Sequence, residues 1–181
     1  PESELLKNVG GRRSTMASAS CGLCGLRSVD EIHIYGKPLK VSHDRKLQIT
    51  SVASMMAVLQ DHQPVFQTTG GCHGAALFSV GGKLLSAFED IGRHNAVDKA
   101  IGYALDQGTL SQADCLVVSG RLSYEIVYKA YHGQIPFLLS VSAPSSFAVE
   151  MADRFGMTIL SWCRDKRVTV YSNTENVLMP G

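Results

Sequence analysis

From Gly74 to Tyr171 short apolar runs alternate with stretches of helical character, and that alternation constrains the fold more than any other feature of the chain. Ala75-Ala76-Leu77-Phe78-Ser79-Val80 and Lys83-Leu84-Leu85-Ser86-Ala87-Phe88 flank Gly81-Gly82, and a glycine pair supplies the positive backbone angles that a hairpin turn needs. Cys115 to Ser119, Pro136 to Val141, Met157 to Trp162 and Val168 to Tyr171 predict four further strands. Helices are expected from Asp90, as its cap, to about Asp106, from Leu122 to Tyr131, and from about Ser146 to Phe155, where Gly156 stops it. Strands separated by helices require crossover connections, so the sheet should be mixed and largely parallel in its second half. The expected architecture is an α/β three-layer sandwich with helices on both faces. Upstream, Leu47, Val52, Met55, Met56 and Leu59 follow helical spacing and predict a core helix over Leu47 to Leu59, with the methionines filling packing gaps.

Length and composition bound the rest. A chain of 181 residues that is 45% hydrophobic and 18% charged buries one substantial core. One domain is expected over residues 21–181, preceded by a flexible polar segment, 1–20, truncated from a longer chain. No apolar run approaches the roughly 20 residues of a membrane span, and no basic-then-apolar secretory pattern opens the sequence. The expectation is a cytoplasmic protein with no membrane partner. Five cysteines without a secretory signature favour reduced thiols over a disulfide framework. A net charge of +1 argues against nucleic acid as a partner, because phosphate-driven affinity needs concentrated positive charge. Cys115 and Cys163, in or beside apolar strands, read as inert core thiols, and His33, His43, His62 and His132 as surface residues.

The chemistry concentrates at Cys21-Gly22-Leu23-Cys24-Gly25, which follows a run of small residues from Ser14 to Ser20. Small neighbours leave both thiols reachable, and in a Cys-x-x-Cys pair each sulfur can stabilise the other's thiolate, the form that attacks sulfur electrophiles. The same pair is half of a zinc site. A structural zinc needs a second pair at short spacing, whereas Cys72-His73 are adjacent, so no metal is assigned. The catalytic zinc deaminases add a His-x-Glu or Cys-x-Glu helix start that this chain lacks. A thioredoxin-type redox pair would sit at a strand-to-helix elbow and not on a Gly/Ser loop. Cys72-His73, within Thr68-Thr69-Gly70-Gly71-Cys72-His73-Gly74, is either a substrate-side loop or a structural turn.

Four stretches fall where strands end and helices begin, the usual place for ligand groups in such sheets. Asp90, Arg93 and His94 enter the first helix, where free N–H groups and cations suit an anion. Ser119 and Arg121 repeat the arrangement after the next strand, and Ser142 opens a third, Ser142-Ala143-Pro144-Ser145-Ser146. Trp162, Cys163, Arg164, Asp165, Lys166 and Arg167 join the last two strands with an aromatic face and three cations. Each has a plain alternative: Asp90 and Ser146 as caps, the last stretch as a solvated turn. Their convergence implies a pocket for a large phosphate-bearing, partly aromatic molecule such as a nucleotide derivative.

Ala19-Ser20-Cys21-Gly22-Leu23-Cys24-Gly25, Thr69-Gly70-Gly71-Cys72-His73-Gly74-Ala75-Ala76, Glu89-Asp90-Ile91-Gly92-Arg93-His94-Asn95-Ala96-Val97-Asp98-Lys99, Ser119-Gly120-Arg121 and Ser142 to Ser146 occur in that order. Together they resemble the formate dehydrogenase accessory sulfurtransferase family, from about Ser14 to Tyr171. The resemblance implies a cytidine-deaminase-like fold without the zinc chemistry, a homodimer, and delivery of sulfur from a cysteine desulfurase to the molybdenum cofactor of formate dehydrogenase. By that likeness Cys21 carries the persulfide and Cys24 assists it. The bound substrate would be a molybdenum bis(molybdopterin guanine dinucleotide), which a guanine nucleotide can mimic. Trp162 to Arg167 match the family's cofactor-binding stretch, with Trp162 where Phe or Tyr is more usual. The alternatives are a non-catalytic chaperone for the molybdenum cofactor and a zinc-bound, deaminase-like protein.

Overall fold

The computed structural model describes residues 37–164 and 167–180. Strand β1 (Leu47–Gln48) precedes helices α1 (Val52–Asp61) and α2 (Pro64–Thr69), and a hairpin of β2 (His73–Phe78) and β3 (Leu84–Asp90) follows. Helix α3 (Arg93–Asp106) leads to β4 (Cys115–Val118), α4 (Tyr124–His132), β5 (Phe137–Ser140), α5 (Ser146–Arg154), β6 (Thr158–Arg164), β7 (Arg167–Val170) and β8 (Val177–Leu178). Six strands form one sheet in the order β3-β2-β4-β5-β6-β7. The pairs β4–β5 and β5–β6 are parallel, each spanned by a crossover helix, and the other neighbours are antiparallel. Strands β1 and β8 pair in parallel as a separate two-stranded sheet.

Side-chain alternation divides the core into two halves. The register Ala76↔Val117, Val117↔Leu139 and Leu139↔Leu160 lines up one row across four strands. With Phe78, Cys115 and Phe137 that row packs beneath Val52, Met55 and Leu59 of α1. The intervening Ala75, Leu77, Leu116, Val118, Leu138 and Ile159 are also buried, on the opposite face. There α3 offers Ala96, Val97 and Ala100, α4 offers Ile126 and Val127, and α5 offers Ala148 and Met151. The small residues of α3 let it lie close: Ser86 Oγ donates to Ala100 O at 3.0 Å. Burial on both faces is why β4 and β5 read as unbroken apolar runs, and each large side chain so enclosed contributes roughly 1.5–3 kcal/mol.

The mixed three-layer architecture agrees with the sequence reading, and several details correct it. The predicted helix over Leu47 to Leu59 starts later. Leu47–Gln48 is the strand that pairs with β8, Ile49–Ser51 is a 3-10 turn, and only from Val52 does the chain become α-helical. Met55 is buried core as expected, and Met56 packs against that core while also lining a cavity. Asp90 is the last residue of β3 and does not cap α3; Gly92 holds the cap position, and Asp90 accepts the Gly92 N–H at 2.9 Å. Ser145, not Ser146, caps α5, its Oγ accepting from Ala148 N at 3.1 Å. Helix α4 begins at Tyr124, because Leu122 is held in an extended bridge to Pro144. The Gly81-Gly82 turn stands, with Gly82 at φ 85°.

Candidate functional site

The carboxyl ends of β4, β5 and β6, the amino end of β2 and the carboxyl end of β3 lie along one edge of the sheet, as the pairing His73↔Asp90 and Val118↔Ser140 requires. Glycines at this edge allow close approach. A Cβ on Gly120 would stand 3.3 Å from His73 Nδ1, and one on Gly74 only 2.5 Å from Gln63 Cδ. Ser119 ties the strand ends together: its Oγ accepts from Gly74 N at 2.9 Å while its own N–H donates to Gly74 O at 3.0 Å. Ser140 Oγ donates to Gly120 O at 2.6 Å and accepts from Ser142 N at 2.9 Å.

On the α1 side of this edge opens a cavity of about 930 Å³. That is near the upper end of the size range of small-molecule sites. Val52, Ala53 and Met56 of α1 give it an apolar wall, Gln63 and Phe66 flank it, and Ser119 and Val141 reach it from the strand ends. Across from them stand Cys163, Arg164 and Arg167. Arg164 and Arg167 are direct cross-strand partners in the β6–β7 hairpin. Like charges placed opposite each other destabilise a ladder, and among the described residues neither arginine pairs with a carboxylate. Arg164 instead lies over the Trp162 ring, 5.0 Å from its centroid, and Trp162 Nε1 donates to Tyr171 OH at 3.0 Å. Trp162 takes a left-handed φ of 57° within β6, where the register shifts between Ser161 and Arg164. Burial pushes the Cys163 thiol up to about 11, partly offset by a backbone hydrogen bond at Ser140, so this sulfur stays protonated at neutral pH.

Of the residues singled out in the sequence, Ser119, Cys163, Arg164 and Arg167 line this cavity. Asp90, Arg93, His94, Arg121, Ser142 and Trp162 share the edge but stand outside its lining. Asp90 is a local organiser. Lys99 pairs with it at 2.6 Å, Asn95 donates to it at 3.1 Å, and these partners, Lys99 foremost, hold its carboxyl at about 2. His94 Nε2 lies 3.2 Å from Ser123 Oγ, and burial and then Arg93 lower its pKa. Cys72 is a half-buried free thiol just before β2, and His73 opens that strand against Gly120. Among the described residues no group of three or more His, Cys, Asp or Glu side chains is placed to hold a metal ion. Cys21, Cys24, Asp165 and Lys166 lie outside the described residues.

The sequence reading missed α2 and with it Gln63 and Phe66. Their signal was Pro64, a residue suited to the first position of a helix, here followed by a Gly70 that ends it at φ 66°. It also missed Glu89, whose carboxylate accepts Val65 N at 2.9 Å and Phe66 N at 2.8 Å and so anchors α2 to β3.

Comparison with known proteins settles the family. The FdhD/NarQ family model matches residues 2–178. The chain belongs to this family. It is 42% identical over 166 residues to a sulfur carrier protein FdhD from Nocardia farcinica, covering 91% of this chain and 60% of that protein. A sulfur carrier protein FdhD from Thermoplasma acidophilum is 38% identical over 165 residues, covering 91% of this chain and 58% of its own length. The FdhD/NarQ chain thus spans about three fifths of these curated relatives. A crystal structure described as a candidate formate dehydrogenase accessory protein, from Desulfotalea psychrophila, superimposes with a TM-score of 0.70 at 31% identity, covering 78% of this chain and 62% of the other.

Proposed function

We propose that this FdhD/NarQ chain serves formate dehydrogenase maturation as a sulfur carrier, with Cys21 bearing the sulfur and the α1-side cavity holding a nucleotide arm of the molybdenum cofactor that receives it. The observation that carries the reading is the Arg164–Arg167 couple, without a carboxylate partner among the described residues, on the wall of a cavity whose opposite side is apolar. Two guanidiniums held opposite each other are relieved by a bridging anion, and planar guanidinium forks suit phosphate oxygens. The apolar wall of Val52, Ala53 and Met56, with Phe66, suits a flat heterocycle. Phosphate at one end and heterocycle at the other describe a nucleotide, in keeping with a guanine dinucleotide arm.

The sulfur step is a thiol exchange. The Cys21 thiolate attacks the outer sulfur of a desulfurase persulfide, the donor's S–S bond breaks, its cysteine leaves as thiolate, and Cys21 becomes the persulfide. Attack by Cys24 on the inner sulfur would release the outer one as sulfide and leave a Cys21–Cys24 disulfide, returning the pair for reduction. Such chemistry fits a reducing cytoplasm, and a homodimer would bring two cavities to a substrate with two nucleotide arms.

Incubation with a cysteine desulfurase and cysteine, followed by peptide mass spectrometry, should add one sulfur atom to the Cys21 peptide and none after Cys21→Ala. An unchanged peptide would leave a cofactor-binding chaperone as the better reading. Calorimetry should show guanosine diphosphate binding that weakens by about tenfold or more when Arg164 and Arg167 are both changed to Ala, the order expected for losing two charge-assisted contacts. Equal affinity would move the phosphates elsewhere.

A further inference from the structure

Trp162 holds a left-handed φ of 57°, a conformation that a bulky side chain keeps only where its surroundings fix it. Such outliers gather at ligand clamps and switch regions. The register shift between Ser161 and Arg164 falls on this residue, and its ring lies under the Arg164 guanidinium, whose Cζ stands 5.0 Å from the ring centroid. Arg164 lines the cavity; Trp162 and Tyr171 stand outside the lining. A carboxylate would hold an arginine by consuming its N–H donors, whereas an aromatic face attracts the cation and leaves all five donors to an anion.

The ring is held in turn at its indole nitrogen. Trp162 Nε1 donates to Tyr171 OH at 3.0 Å. The backbone beneath Tyr171 is fixed to β6: Tyr171 N donates to Ile159 O at 2.9 Å, and Ser172 Oγ accepts from Ile159 N at 3.1 Å and donates to Met157 O at 2.8 Å. Trp162 and Tyr171 are 37% and 38% exposed, so water could serve both polar groups and their mutual bond adds little to folding. What it adds is a fixed ring.

We infer that Tyr171 is a positioning residue of the cavity, acting through the Trp162 ring to keep the Arg164 guanidinium facing inward before an anion arrives. Arg164 stands opposite Arg167, and like charges so placed drive each other apart. The Tyr171–Trp162 pair opposes that movement. A guanidinium already in place gives up less side-chain freedom when phosphate binds, and the gain appears as affinity. The inference rests on Arg164 and Arg167 being the phosphate contacts proposed above, and adds what sets their geometry.

Tyr171→Phe removes the acceptor and keeps the ring. Calorimetric titration of the whole chain with guanosine diphosphate should show binding weakened by about threefold to tenfold, the value of one neutral hydrogen bond, with little change in Tm. Trp162→Phe keeps an aromatic face without the donor; it should weaken binding at least as much, and adding Tyr171→Phe to it should change affinity no further. In an Arg164→Ala background, Tyr171→Phe should leave affinity within about twofold, because its effect passes through that guanidinium. Trp162 is the chain's one tryptophan, so fluorescence anisotropy reads the ring directly and should fall in Tyr171→Phe with no nucleotide present. Unchanged affinity or unchanged anisotropy in Tyr171→Phe would overturn the positioning role and leave the cavity reading intact. So would a loss of affinity that persists in full in the Arg164→Ala background, which would mean that Tyr171 touches the nucleotide itself. Failure of the wild type to bind guanosine diphosphate would overturn the cavity reading and this inference with it.

Discussion

At the scale of single residues, the FEDIGRHN stretch shows how one motif can be structural and chemical at once. Asp90 looked in the sequence like a cap or a ligand contact, and the cap position belongs to Gly92. It closes a turn onto Gly92 and gathers Asn95 and Lys99, fixing the start of α3. The Lys99 ammonium, then the Gly92 N–H and the Asn95 amide, bring its pKa from 3.8 to about 2. Because the folded value is the lower one, the ionised carboxylate adds stability that is complete above the unfolded value and is lost as pH falls through the folded one. Asp90→Asn should therefore lower Tm at neutral pH, and its deficit against the wild type should shrink between pH 3.8 and about 2. Thermal unfolding followed by circular dichroism across that range checks this. A deficit that stays constant would mean that the charge of Asp90 adds nothing to stability and that the variant acts through shape alone.

At the scale of elements, legibility followed the strength of the local pattern. β4 and β5 were readable because CLVV and FLLS are buried on both faces, and the β2–β3 hairpin because Gly82 takes the positive φ that its turn demands. Helix α2 was not, since its six residues bury none of their side chains and so carry no apolar period. Its stability comes from elsewhere in the chain, through the two hydrogen bonds that the Glu89 carboxylate accepts from Val65 N and Phe66 N. An acidic side chain supplied from a neighbouring strand does for these N–H groups what a cap residue does within a sequence, and no local pattern announces it. The β6–β7 hairpin is a similar case. The stretch from Trp162 to Arg167 was readable as basic and aromatic, but not that the register shift would set Arg164 directly against Arg167. Glu89→Ala should cost about 1–2 kcal/mol, the usual value of a lost helix cap, and should raise amide hydrogen exchange selectively over residues 65–69. Because Phe66 and Gln63 flank the cavity, the same variant should weaken guanosine diphosphate binding although Glu89 does not line it. Unchanged exchange over α2 would show that the helix stands without this anchor.

At the scale of the whole molecule, the sheet sorts its polar edge into two neighbourhoods that a linear reading merged. Strand parity decides the sorting. Ser119 and Val141 continue the rows of Val117 and Leu139 and reach the cavity under α1, while Gly120 continues the row of Leu116 and Val118 and meets Arg93 of α3 on the other face. The sequence showed that cations and small residues collect where strands end, and that much holds along one edge. Which cation faces which side depends on counting residues through the strand, and a one-residue step reverses the answer. The consequence is a difference between two sets of variants. Arg164→Ala with Arg167→Ala acts on the wall of the cavity and should weaken guanosine diphosphate binding. His94→Ala with Arg121→Ala acts on residues outside its lining, with His94 held against Ser123 at 3.2 Å, and should leave that affinity within about twofold, since neither side chain is placed to touch a molecule in the cavity. The first pair removes two charges and the second removes the Arg121 charge with an imidazole, so net charge alone predicts weakening by both pairs and the geometry predicts it for the first only. Titrations of the two double variants at one salt concentration separate these. Equal weakening would mean that the two faces act as one site across the sheet edge, with Ser119-Gly120 as the bridge between them.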